Sequence, residues 1–225
     1  MENAFSREIK LIGEENFKKL KSSSVIIFGA GGVGSFAIEA IARAGVGNIT
    51  IVDSDTVDET NINRQLIALN STVGKDKVAV AKARVLDINP NCNVTAVKEF
   101  YDNESLIDLT KYDYIVDAID SVKSKIHLIE TAKKNNVKII SSMGTGNKIL
   151  PEKLTVCDIS KTNYCPLAKK MRYELRKRGI NHLKVVYSAE EPLTKSVPPA
   201  SISFVPSVAG LLIAKEVIVD LIKED

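Results

Sequence analysis

The chain has 225 residues, 44% hydrophobic and 26% charged, with Lys and Arg outnumbering Asp and Glu by 31 to 28. Such a composition excludes a disordered or low-complexity chain and supplies one substantial core. The formal net charge of +3 is too mild to make nucleic-acid binding a property of the whole surface, so any such contact has to be local.

Residues 1–22 carry charges throughout, which predicts an amphipathic helical arm rather than an export signal. An apolar run follows, Val25-Ile-Ile-Phe, and ends in Gly29-Ala-Gly31-Gly32-Val-Gly34, after which 33–44 has helical periodicity. A strand that breaks into glycines and reopens as a helix is the start of a nucleotide-binding βαβ unit. Gly29 permits the tight turn, Gly31 and Gly32 let the backbone approach a phosphate, and Gly34 lets helix and strand pack closely. Free amides at the helix start then face the anion. Alone, this pattern also suits a doubly wound sheet that binds no nucleotide.

The second strand, 48–53, ends on Asp53, about 20 residues past the glycines, where a carboxylate accepts hydrogen bonds from ribose hydroxyls. To this point NAD and ATP fit equally. The next segment separates them: Asp55, then Asn61-Ile-Asn63-Arg64-Gln65, then Gly74-Lys-Asp-Lys77 ahead of the helical pattern 78–88. Charge builds on phosphate oxygens as a nucleophile adds to a triphosphate, and fixed cations stabilise it without reorganising. A pyrophosphate bridge has little use for two such cations, which makes Arg64 and Lys77 candidate transition-state stabilisers. Taken singly, they also read as a surface ion pair and a solvated first-turn lysine.

A strand at Val94 and a short helix precede Tyr112-Asp-Tyr-Ile-Val-Asp117-Ala-Ile-Asp120-Ser121, which sets Asp120 at a carboxyl end, where open α/β sheets gather ligands. Asp120 suits Mg²⁺ held on phosphates; it also suits the N-cap of helix 122–134, a role open to Ser121 as well. Further strands fall at Val137 and 154–159. The apolar stretch 202–222 is interrupted by Pro206, Gly210, Lys215, Glu216 and Asp220, so it predicts a strand or loop through Pro206 and then a buried helix, not a membrane span. Pro192, Pro198 and Pro199 mark an irregular loop over 189–200. Strands alternating with helices predict a Rossmann-like, doubly wound, mainly parallel α/β sheet covered on both faces.

From Ala4 to about Cys157, the glycine loop, Asp53-x-Asp55, Asn61-x-Asn63-Arg64-Gln65, Gly74-x-x-Lys77 and Ala118-x-Asp120-Ser121 resemble the adenylation fold of the ubiquitin-activating enzymes and the molybdopterin- and thiamine-pathway adenylyltransferases. The resemblance implies ATP and Mg²⁺ as cofactors, and a homodimer. It implies a nucleotide site made by Gly29, Gly31, Gly32, Gly34, Asp53, Asp55, Asn61 and Gln65, with Arg64 and Lys77 on the phosphates and Asp120 on the metal. Arg7, in Phe5-Ser6-Arg7-Glu8, resembles the arginine that reaches into the partner subunit's nucleotide site.

The cysteines Cys92, Cys157 and Cys165 have no metal-ligand spacing, so neither a zinc clamp nor a relay thiol is expected, and Cys157 reads as a small buried hydrophobe. Few cysteines and no export signal predict a reducing cytoplasm. The segments Asp158 to Thr162, Cys165-Pro166 to Ile180, Val185 to Glu190 and Phe204 to Leu212 are similar to the tRNA threonylcarbamoyladenosine dehydratases, although that family often has an acid where Cys165 stands. The likeness implies one adenylation domain over 1–225, with a substrate-binding and dimer region at 158–225, tRNA as partner, and cooperation with a cysteine desulfurase system. Independently, Lys169, Lys170, Arg172, Arg176, Lys177 and Arg178 cluster beside the predicted site, with Lys169, Arg172 and Arg176 at helical spacing. That suits a phosphate backbone, and also a solvated helix face.

The expected activity is ATP-dependent cyclising dehydration of N6-threonylcarbamoyladenosine in tRNA through an acyl-adenylate. An intramolecular closure brings its own nucleophile and needs no protein thiol. The alternatives are activation of a small sulfur-carrier protein at its C-terminal carboxylate, an NAD-dependent oxidoreductase, and a non-catalytic nucleotide-binding scaffold.

Overall fold

The computed structural model describes residues 4–223. Seven strands form one sheet: β1 (Ser24–Phe28), β2 (Asn48–Val52), β3 (Asn93–Val97), β4 (Tyr114–Asp117), β5 (Lys138–Ser142), β6 (Leu154–Asp158) and β7 (Lys184–Ser188), in the order β3-β2-β1-β4-β5-β7-β6. All neighbours are parallel except β6 and β7. The chain runs outward from β1 to β3, returns to β4 on the other side, and so opens a crevice at the carboxyl ends of β1 and β4. Open α/β sheets bind their ligands at such a reversal.

The side-chain period of two sorts β1 between two cores. Val25 and Ile27 pack with α3 (Gly34–Arg43), α4 (Lys77–Ile88) and α7 (Phe204–Ile222), while Ile26 and Phe28 pack with α5 (Val122–Lys134) and α6 (Pro166–Arg176). Both faces are therefore covered, which is why the central strands read as continuous apolar runs.

Three local expectations change. The N-terminal arm is two helices, α1 (Ser6–Ile12) and α2 (Glu14–Ser22), separated at Gly13, whose φ of 82° no helix accommodates; residues 1–3 of the expected arm lie outside the described residues. The short helix expected between β3 and β4 reduces to a 3₁₀ turn at Leu109–Lys111. There Asp102 and Asp108 accept from the amides of Glu104 and Thr110, and such Asx turns compete with helix. The last helix starts earlier than expected, at Phe204, with Pro206 inside its first turn. First-turn amides have no helical acceptor, so a proline there loses nothing.

Helix α7 sits directly against the start of α3. A Cβ on Gly210 would lie 2.3 Å from the Val33 carbonyl oxygen, so only glycine allows this approach. The other end of α7 is tied to the sheet by Lys184, which pairs with Glu216 and Asp220, and by Tyr114 Oη, which donates to Asp220 at 2.8 Å. No helix among the described residues is long and apolar enough to cross a membrane.

Candidate active site

The crevice between β1 and β4 deepens into a cavity of about 820 Å³. Its floor is the glycine turn. Gly29 has φ +94°, and a Cβ there would meet the Ala118 carbonyl oxygen at 2.6 Å; a Cβ on Gly34 would meet the Gly29 carbonyl oxygen at 1.7 Å. Gly31 differs, because its Cβ would find only Gln65 Nε2 at 3.8 Å. Gly29 and Gly34 are thus demanded by packing, whereas Gly31 keeps open space over the loop. A Cβ on Gly32 would meet Pro206 Cβ of α7 at 3.2 Å, so this glycine serves packing as much as the cavity.

Asp53 closes the loop from the β2 side. Its Oδ2 accepts from Ala30 N at 2.7 Å and its Oδ1 from Asp55 N at 2.8 Å, so its first task is to hold the glycine turn in shape. Lys77, at the first position of α4, is buried in the cavity wall and pairs with Asp55 at 2.8 Å. Arg64 lines the same wall, its Nη1 held by the Thr60 carbonyl at 2.9 Å and Asn63 Oδ1 at 3.0 Å.

Asp120 faces the cavity without capping α5; Ser121 takes the cap, accepting from Ser124 N. Behind Asp120 lies a fully buried group: Asp117 accepts from Lys125 Nζ at 3.0 Å and from Ser141 Oγ at 2.6 Å, while Lys125 also donates to the Ile119 carbonyl at 3.0 Å. This group fixes the turn Ala118-Ile119-Asp120 against the glycine loop.

The other expected residues take several positions. Asn61 does not line the cavity; it is buried and its Oδ1 accepts from Asp58 N at 3.2 Å, closing the turn that carries Arg64. Arg7 is exposed on α1 and does not line the cavity. Arg172 leaves the outer face of α6, its guanidinium donating to the Thr162 carbonyl at 2.8 Å and to the Thr162 hydroxyl. Arg178 pairs with Glu174 and Glu130, and the Lys177 ammonium sits 4.0 Å over the Tyr173 ring. Lys169, Lys170 and Arg176 remain exposed, with no ion pair among the described residues. Cys157 is only half-buried; burial and the adjacent Asp158 push its thiol up. Burial pushes Cys92 up to about 11.

Sequence reasoning missed part of the cavity. Glu99 and Phe100, just beyond β3, line its outer end, and Glu99 Oε1 and Gln65 Oε1 are buried polar atoms without a partner. On the far side the cavity continues under 142–148, the first turn of α6 and the proline-rich loop. There Asn147 collects that loop: its Oδ1 accepts from Ala200 N at 2.7 Å and Ser196 Oγ at 2.6 Å, and its carbonyl accepts from Leu193 N at 2.7 Å. Lys148 is also buried there and donates to the Ser188 carbonyl at 2.8 Å. The one available signal was position, since 142–148 follows a strand's carboxyl end.

A glycine loop at the strand reversal, the cations Arg64 and Lys77 lining the cavity, and the carboxylates Asp53 and Asp120 just beyond β2 and β4 define a Rossmann-like protein built for a phosphorylated nucleotide. A family model described as the ThiF family matches residues 5–225, and the chain belongs to that family, in the branch of the tRNA threonylcarbamoyladenosine dehydratases. A protein of Bacillus subtilis (strain 168) with that dehydratase name is 46% identical over all of this chain and 96% of its own length. The crystal structure of E. coli tRNA N6-threonylcarbamoyladenosine dehydratase in complex with AMP superposes with a TM-score of 0.91 at 33% identity, covering 97% of this chain and 93% of that one. The ATP complex of the same enzyme gives a TM-score of 0.89 at 32% identity and the same coverage.

Proposed function

We propose that this chain is an ATP-dependent tRNA threonylcarbamoyladenosine dehydratase. The observation that carries the reading is the two-part cavity: a nucleotide half with Arg64 and Lys77, continuous with a second half that ends at a buried lysine. The near full-length likeness to the B. subtilis dehydratase supports the same substrate.

In the nucleotide half, the α3 amides and the open space over Gly31 suit the ATP phosphates. Asp53 keeps lone pairs for the ribose hydroxyls, the orphaned Glu99 Oε1 suits a hydroxyl or the adenine amino group, and Phe100 offers a flat apolar face. A threonyl carboxylate oxygen attacks the α-phosphorus, the bond to the bridging oxygen breaks, and pyrophosphate departs. Arg64 and Lys77 stabilise the charge gained on the phosphate oxygens, and Lys77 exchanges its Asp55 partner for phosphate as this happens. An atom of the substrate's carbamoyl group then adds to the activated carbonyl carbon, losing a proton, and AMP departs with the former carboxylate oxygen. The sum is loss of water from the base, with no thiol needed.

Among the described residues no three His, Cys, Asp or Glu side chains gather as a metal cluster, so a resident all-protein site does not fit. A Mg²⁺ carried by the phosphates fits, because such an ion needs only one or two carboxylates and Asp120 is uncommitted. Asp120 would hold it, and the ion would offset phosphate charge. The exposed Lys169, Lys170 and Arg176, beside the cavity mouth at Pro166 and Leu167, suit the tRNA backbone. Arg7 serves a site only in a homodimer, which the family likeness supports.

The test is conversion itself. Purified protein, ATP and tRNA bearing the linear modified base are incubated, and the nucleoside is weighed by mass spectrometry. Loss of one water per base, dependent on ATP, is the expected result; an unchanged base sinks the proposal.

A further inference from the structure

Three lysines among the described residues are almost wholly buried, and two of them face a carboxylate: Lys77 faces Asp55 at 2.8 Å, and Lys125 faces Asp117 at 3.0 Å. Lys148, 5% exposed, is the exception. No carboxylate among the described residues lies within 4.0 Å of its Nζ, whose one protein acceptor is the Ser188 carbonyl. Glu190, which packs nearby, is turned to the backbone, its oxygens accepting from Ile149 N and Leu150 N at 2.9 to 3.1 Å. A buried ammonium with no carboxylate in direct contact is poorly compensated even with Glu190 in its neighbourhood, and where one lines a cavity it points to an anionic ligand that makes the direct contact. Burial draws the Lys148 ammonium below its ordinary value, with Cys165 and Glu190 opposing.

The ligand's chemistry follows from the surroundings. Lys148 lies in the half of the cavity away from the glycine loop, with Met143, Gly144 and Leu167, and the first turn of α6 opens beside it with Pro166 and Leu167. A helix start and one ammonium favour a single anionic group. A polyphosphate has its own cations at Arg64 and Lys77, and an RNA backbone does not reach an ammonium this buried. We infer that Lys148 is a substrate-binding residue that takes the carboxylate of the threonylcarbamoyl group and holds it toward the ATP site. This rests on the proposed function and names the subsite within it.

The test uses Lys148→Met, which keeps side-chain length and removes charge, and Lys148→Gln, which keeps an N–H for the Ser188 carbonyl. Calorimetric titration should give ATP affinity within about 2-fold of wild type for both variants. Binding of modified tRNA is then compared with the same tRNA whose threonyl carboxylate is converted to the neutral amide. Wild type should prefer the carboxylate by roughly 10-fold to 100-fold, the range of a charge-assisted hydrogen bond, and both variants should lose that preference along with most turnover. Retention of the preference by Lys148→Met, or its full recovery by Lys148→Gln, overturns the inference. If wild type fails to dehydrate the base, the proposed function falls and takes this subsite with it; if wild type reacts and Lys148→Met reacts equally, only the subsite falls.

Discussion

Substituting Lys125→Met tests how the site is held. Lys125 and Asp117 are both fully buried, 3.0 Å apart, and the lysine also holds the Ile119 carbonyl. Methionine fills similar space but leaves the Asp117 carboxylate with Ser141 Oγ and Ile119 N as its remaining donors. Removing one partner of a buried ion pair typically costs about 3–5 kcal/mol. For a domain of this size each kcal/mol lowers Tm by roughly 2–4 °C, so the loss should be roughly 6–20 °C in a calorimetric or circular-dichroism melt. The turn bearing Asp120 should loosen with it, lowering kcat at temperatures where the variant is still folded. The double variant Asp117→Asn with Lys125→Met removes both charges and should recover much of the lost stability. A single variant melting within about 2 °C of wild type would refute the reasoning, since by this account the charge cannot be left unpaired at so small a cost.

Two further outcomes follow from the glycine turn and the α7 anchor. Gly34→Ala brings a Cβ to 1.7 Å from the Gly29 carbonyl oxygen and should unfold or strongly destabilise the protein, whereas Gly31→Ala, with nothing nearer than 3.8 Å, should melt close to wild type yet lose ATP affinity about 10-fold or more in calorimetric titration. In Asp220, burial acts to raise the carboxyl but hydrogen bonds from Lys184 and Tyr114 outweigh it and hold it below its ordinary 3.8; Glu216 is likewise held below 4.5, while Lys184, despite burial, is raised by both acids above 10.5. The carboxylate contribution is present above their ordinary values and lost as pH falls through the lowered ones; the lysine contribution is present below 10.5 and lost as pH rises through its raised value. Asp220→Asn should therefore melt lower than wild type near neutrality, with the gap closing below about pH 4 as wild type protonates.

The glycine turn was legible because its chemistry is local: a strand, a left-handed residue and a helix start leave one sequence signature, and Gly29 and Gly34 do what that signature implies. The parallel sheet was legible for a related reason, as buried strands such as Val25–Phe28 have to be apolar on both faces. Residues whose role depends on distant partners were not. Asn61 and Arg64 stand three apart in one motif, yet the first turns inward to the Asp58 amide and the second stays at the cavity. Arg172 shares a helix face with Lys169 and Arg176 by spacing, but Thr162 draws it inward. Lys148 and Asn147 belong to a short loop with no motif, and what marks them is the burial and cross-loop hydrogen bonding that only the folded chain creates. Pro206 misled because a proline reads as a break, while a helix's first turn tolerates it.

The central claim is that Arg64 and Lys77 promote capture of the substrate's carboxylate at the α-phosphorus of ATP. Exchange of labelled pyrophosphate into ATP measures that step alone, before any ring closes. The account predicts exchange with tRNA bearing the linear modified base, none with unmodified tRNA, and a fall of roughly 10²–10³ for Arg64→Ala and for Lys77→Ala. Exchange that ignores the modification, or that survives both substitutions, would contradict it.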